Sequence, residues 1–190
     1  FLDDGITPAA GTRVQASNSV TLVAFADSQG CYTFENIPRH TYNISFYHAA
    51  TGGVGAVAAN LDSGSLALAS LTLDSVAPTV FYTTPSSNAG DVNPGSAIAV
   101  NFSEPVNPAT VNSNTFIVRE NGVPVSGQVV VNFTDSTQVI FQPTNSFSDM
   151  AAISVTVKAD RLGFEGQVLE RGIGDMHGLG MKADYAFSFT

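Results

Sequence analysis

Apolar and polar residues alternate in short runs along most of this chain, and turn-forming residues separate the runs. Tyr42, Ile44, Phe46 and His48 fall to one side of an extended backbone, while Asn43, Ser45 and Tyr47 fall to the other. A period of two is the signature of a half-buried β-strand. Val20–Phe25 and Cys31–Phe34 are strand candidates ahead of it, joined through Asp27–Gly30. Aspartate there can bond its own backbone, and glycine accepts a positive φ, so a tight turn is expected.

The same signal recurs downstream at Thr79–Thr83, Ala97–Phe102, Thr115–Arg119, Gln128–Phe133, Gln138–Phe141, Ile153–Lys158 and Tyr185–Phe189. Asn121-Gly122 predicts a type I′ hairpin leading into Val123–Val125, because both central residues of that turn need positive φ. About seven short strands in roughly 110 residues is the count of an Ig-like sandwich.

Residues 49–70 are poor in charge and rich in Ala, Gly and Ser. Gly52, Gly53 and Gly55 weaken a helix over Val54–Leu61, which leaves strand or irregular structure. Leu66, Leu68, Leu71 and Leu73 suggest strands that rejoin a sheet. Asp74–Pro78 reads as a boundary, where Pro78 holds Ala77 extended and makes a short, stiff joint. The expected fold is all-β, with two tandem β-sandwich domains over residues 1–75 and 76–190.

Composition supports this reading and excludes several functions. Of 190 residues, 44% are hydrophobic and only 12% charged, below the usual quarter or so for globular domains. Ser, Thr, Asn and Gln supply the polarity, which suits the wet faces of strands better than those of long helices. The net charge is -9, and the lysines are Lys158 and Lys182. Nucleic-acid binding and a polybasic membrane-surface mode both need clustered cations that this chain lacks. No signal peptide or membrane-spanning run is apparent. The opening at Phe1 without a methionine suggests a processed product or an excised piece. Other protein chains, sugars, cations and neutral polar surfaces remain as partner classes.

Catalytic chemistry finds little purchase. Cys31 is the single cysteine, so an internal disulfide is ruled out, and a small buried side chain beside Tyr32 and Phe34 is expected. His40 and His48 would stand roughly 25 Å apart on one extended strand, and His177 is remote in sequence, so a zinc site is not expected. Asp3 and Asp4 are adjacent and would point to opposite faces of a strand. Glu104 precedes Pro105 at a strand end, and Gly172–Gly174 lacks the lysine and helix of a phosphate loop. No catalytic, cofactor-binding or metal residue is assigned. Calcium is the one conceivable cofactor, with Asp74 at the boundary and Asp175 in a Gly-rich loop as candidates, although both also suit ordinary turns. Asn43, Asn101 and Asn132 head glycosylation acceptor patterns, each within a strand candidate. Most Phe and Tyr follow the strand alternation, so core packing is their expected role.

Two family resemblances sharpen the picture. Ala77-Pro-Thr-Val80, Ile98–Val106, Asn107–Val111, Thr115-Phe116, Phe141-Gln-Pro143, Ile153–Val157, Gly174-Asp175 with Gly178, and Asp184–Thr190 resemble the bacterial Ig-like domain of surface-layer and other cell-surface proteins. The loop Arg161–Met181 is longer and richer in glycine than that family's turn, and would form an elaborated surface feature. Ala9–Val14, Ala26–Phe34, Asn36-Ile-Pro38 and Thr41–Ile44 resemble a carboxypeptidase regulatory-like (transthyretin-like) module. That resemblance implies a small sandwich without peptidase chemistry.

The latter family opens with a strand that is missing here or reduced to the residues around Phe1-Leu2. Either upstream residues have been trimmed, or another molecule supplies the strand by β-augmentation. The resulting expectation is a non-catalytic extracellular structural or assembly module of a cell-surface protein. Self-assembly into a filament or surface layer by strand addition is its specific form. The rival is an accessory or binding region, an adhesin or glycan binder, of a larger secreted protein, with Arg161–Met181 as its contact surface.

Overall fold

In the computed structural model, residues 1–62, 64–162 and 168–190 are described. The chain divides into two units, Phe1–Val76 and Ala77–Thr190. Both are built from antiparallel β-sheet, and the all-β expectation holds.

The first unit contains β1 (Arg13–Ser17), β2 (Thr21–Phe25), β3 (Thr41–His48) and β4 (Gly53–Asn60), ordered β2-β1-β3-β4. The alternation in β3 does what its period dictates: Tyr42, Ile44 and Phe46 are buried, and their neighbours are exposed. Register sets Phe46 between Val14 of β1 and Gly55 of β4, and Ile44 between Ala16 and Val57. One face of the sheet thus becomes a continuous apolar floor. Leu71 rests on β4 directly above Gly55, where a Cβ would lie 2.7 Å from Leu71 Cδ2 and would push that side-chain tip aside.

The layer over this floor is not a ladder. Cys31–Phe34 and the leucines at 66, 68, 71 and 73, all strand candidates by sequence, do not form strands. The Asp27 turn itself forms as expected: its Oδ1 accepts from the amides of Gln29 and Cys31, and Gly30 sits at φ 75°. Cys31 departs from expectation, because it is exposed. The turn holds the thiol outside the cluster that Tyr32, Phe34 and Phe46 form edge-on at 5.4–6.1 Å.

The second unit is a two-sheet sandwich. One sheet runs β5 (Val80–Thr84), β6 (Ile98–Phe102), β10 (Asp135–Pro143), β9 (Gly127–Asn132). The other runs β14 (Tyr185–Phe189), β11 (Ile153–Val157), β7 (Phe116–Glu120), β8 (Val123–Pro124). A hairpin of β12 (Arg161–Leu162) and β13 (Val168–Glu170) stands apart from both sheets. Inward residues of the two sheets share one core, including Ile98, Val100, Val139 and Phe141 on one side and Phe116, Val155, Val157 and Phe187 on the other. Asn121 and Gly122 have φ of 48° and 86°, as a type I′ turn between β7 and β8 requires.

Candidate functional site

The first unit carries a groove of about 1120 Å³. Its floor is the apolar sheet face, with Val14, Ile44, Phe46, Val57 and Ala59. One wall is Tyr32–Ile37, seated through Tyr32 on Phe46, and the other is Gly64–Leu73, seated through Leu71 on Gly55. Glu35 and Arg39 are the charged side chains of the described lining, so the groove is close to neutral. Burial in this wall pushes the Tyr32 phenol above its ordinary 10.0, since a phenolate would be poorly solvated there.

The backbone of both walls is open. Among the described residues, no hydrogen bond uses a backbone amide or carbonyl of Tyr32–Ile37 or of Ser65–Ser70. Pairing begins only at the end of the second wall. The Phe1 ammonium donates to the Leu71 carbonyl at 2.7 Å, and the Leu73 amide donates to the Phe1 carbonyl at 2.9 Å. That exchange is one rung of a parallel ladder. Sequence reading pointed to the strand deficit near Phe1-Leu2 but not to the groove, whose walls it assigned to strands. The available signal was that two alternating apolar stretches had no partner strand.

The calcium candidates serve turns. Asp74 belongs to the first unit, where its backbone bridges Val54 and its Oδ1 accepts from the Val76 amide. Asp175 belongs to the second unit and is buried, with Oδ1 accepting from the amides of His177, Gly178 and Leu179 at 2.6–2.9 Å. The segment around it is less of a surface feature than its composition suggested. Ile173 and Met181 enter the core, and the Ile173 amide bonds the Lys158 carbonyl at 2.9 Å. Met176–Gly178 forms its exposed tip. Residues 163–167 of the proposed contact loop lie outside the described residues.

The remaining candidates are dispersed. His40 precedes β3 and His48 ends it, so the two flank one strand. Asp4 holds a local turn: the Thr7 hydroxyl and the amides of Ile6 and Thr7 keep its carboxyl below the ordinary range. Of the glycosylation acceptors, Asn101 is buried. It ends a polar row in which Asn132 donates to Gln138 and Gln138 donates to Asn101, both at 2.9 Å. Several aromatic rings escape the core despite the alternation. Phe81 and Tyr82 are adjacent and exposed at a register shift in β5, and Phe133 tips the β9–β10 turn. A bulge breaks the inside-outside rule locally, which sequence periodicity does not report.

The two stacked sheets of the second unit are those of an Ig-like sandwich, and comparison with known proteins agrees. The bacterial Ig-like domain family matches residues 74–190, and the chain belongs to that family. Among solved structures, PcoC, a methionine-rich copper resistance protein from Escherichia coli, superposes with a TM-score of 0.44 at 14% identity. That match covers 60% of this chain and 98% of PcoC. The S-layer protein rSbsC gives a TM-score of 0.43 at 17% identity, over 61% of this chain and 14% of that one. No curated protein sequence matches the chain. None of the described helices is long and apolar enough to cross a membrane.

Proposed function

We propose that this chain is a non-catalytic, extracellular structural module of a bacterial cell-surface protein, built to assemble with other protein chains. The observation that carries the reading is the bacterial Ig-like domain over residues 74–190. Its two sheets share one apolar core. The first unit is read as a carboxypeptidase regulatory-like module, on its Asp27–Phe34 turn and the Thr41-Tyr42 start of β3. Filament or surface-layer assembly by strand addition is the specific form, supported by the incomplete layer over the first unit's sheet. Whole-cell protease accessibility, and negative-stain imaging of concentrated protein, test this. Surface-exposed protein that forms ordered polymers is the expected result. A cytosolic protein that stays monomeric at high concentration would overturn it.

A second reading, a glycan-binding accessory region, is favoured by the exposed Phe81–Tyr82 pair, since flat rings in water suit the apolar faces of sugars. Glycan-array binding abolished by Phe81→Ala with Tyr82→Ala would support it. Absence of glycan binding by the unaltered protein would remove it.

A further inference from the structure

We propose that the outer face of the β5-β6-β10-β9 sheet binds an uncharged glycan, held between the Phe81–Tyr82 rings and a spare amide donor on Asn101. This rests on the glycan-binding reading above and deepens it by naming the hydrogen-bonding partner, the extent of the surface and the class of sugar it accepts.

The face is built by register. Tyr82 pairs with Asn101 and Asn101 with Gln138, so the three side chains line one row, on the side of the sheet away from the core residues Val100, Phe102 and Val139. Thr84, Ala99, Ile140 and Val130 form the next row on that side. The register shift in β5 inserts Phe81 as an extra residue. Its ring is 78% exposed and lies 5.8 Å from that of Tyr82. Among the described residues, Asp135 at the turn end of β10 is the one charge in these four strands, in a chain of net charge -9. A charged ligand would lose solvation here without gaining a counter-ion.

The amide row has a direction, and it ends in an unused donor. Thr134 donates its amide and its hydroxyl to Asn132 Oδ1, which turns Asn132 Nδ2 toward Gln138. Gln138 therefore accepts with Oε1 and donates with Nε2 to Asn101 Oδ1. Asn101 is only 4% exposed, and its Nδ2 has no acceptor among the described residues. A buried donor without an acceptor is costly, and a ligand oxygen relieves that cost. The row ends at Tyr82, which is half exposed, so a turn of that ring admits the oxygen.

A neutral sugar meets both demands, with an apolar C–H face for the rings and a rim of oxygens for the amide. The four strands span about 14 Å, room for an oligosaccharide. A second copy of this chain is disfavoured on the same face, because it would set its own unused donor against this one.

The full chain is tested by calorimetry against soluble β-glucan, mannan and chito-oligosaccharides, with polygalacturonate and sialyl-oligosaccharides as acidic controls. A neutral glycan is expected to bind about tenfold or more tighter than the acidic ones. Its affinity should hold between about 0.05 and 0.5 M salt, since no ion pair forms. Phe81→Ala, at an exposed position, should lose about tenfold in affinity. Asn101→Asp keeps the acceptor for Gln138 and removes the donor, and should lose at least as much with its circular dichroism spectrum intact. Because that site is buried and the variant can fail to fold, the side-chain amide signals of Asn101 in the unaltered protein are also followed by heteronuclear NMR, and should shift as glycan is added. Signals that stay in place under bound glycan, equal binding of acidic glycans, or full binding by folded Asn101→Asp would each overturn the inference while the ring-based reading stands. No glycan binding at all removes both. Dimerisation in sedimentation runs that Phe81→Ala with Tyr82→Ala abolishes would assign the face to protein and overturn the inference as well.

Discussion

Phe116 of β7 and Phe141 of β10 belong to opposite sheets of the second unit, and their rings stack at 6.2 Å with planes 9° apart. Both are nearly sealed from solvent, at 2% and 4% exposure. Truncating either to alanine removes a ring from the shared core and leaves a cavity that rigid strands cannot close. The expected cost is about 3–5 kcal/mol for each variant. A typical domain has about 5–15 kcal/mol in hand, so the single variants should still fold. With a urea slope near 2 kcal/mol/M, the midpoint of the affected transition should drop by about 2 M. The double variant should lose less than the sum of the two, by about 0.5–1.5 kcal/mol, because the ring-on-ring contact can be lost only once. Urea titrations of the full chain followed by circular dichroism give all three numbers. Single losses below about 1 kcal/mol, or strict additivity, would mean that the rings do not meet between the sheets, and the sandwich packing described above would be wrong.

Three further outcomes follow from particular contacts. The Lys158 ammonium and then the Ala159 amide hold the Asp184 carboxyl below its ordinary 3.8. A lowered folded-state value adds stability above the unfolded value and loses it as pH falls through the folded one. The advantage of the unaltered protein over Asp184→Asn should therefore be present at neutral pH and fade below 3.8. It should stay under about 1 kcal/mol, since both partners are partly exposed; thermal melts across pH check this. Thr115 is buried, and its hydroxyl meets the carbonyls of Thr110 and Asn112 and accepts from the Asn112 amide, all at 2.7–3.1 Å. Thr115→Val should cost about 1–3 kcal/mol by denaturant titration despite its matching shape. A Cβ on Gly172 would fall 2.2 Å from the Ala159 carbonyl carbon and 2.3 Å from the Lys158 oxygen. Backbone cannot yield as a side-chain tip can, so Gly172→Ala should cost about 1–3 kcal/mol or more. It should also loosen residues 172–181, read by hydrogen exchange.

Local rules made much of the strand content legible in the sequence. The period of two placed β3, β6, β7 and β11, and Asn121-Gly122 placed a hairpin, because pleat and φ preference act within a few residues. The strings around Ile98–Val106 and Asp184–Thr190 marked the family for the same reason: they hold strand, turn and core position together in short stretches. β1 was not recognised as a strand, although Val14 and Ala16 alternate with polar neighbours, because its run is short and weakly apolar.

Other features were decided only by tertiary structure. Cys31–Phe34 alternates as well as a true strand, yet a strand exists only when a second backbone pairs with it, and Tyr32–Phe34 makes no backbone hydrogen bond among the described residues. Cys31 was expected to be buried, and the Asp27 turn holds it outside. The Gly-rich loop looked like surface, but Ile173, Asp175 and Met181 are buried because residues distant in sequence close over them. Strand orders such as β5-β6-β10-β9 and the groove between two unpaired edges likewise arise from long-range neighbours. Composition and periodicity report which face a residue prefers; which backbone will meet that face is a property of the folded chain.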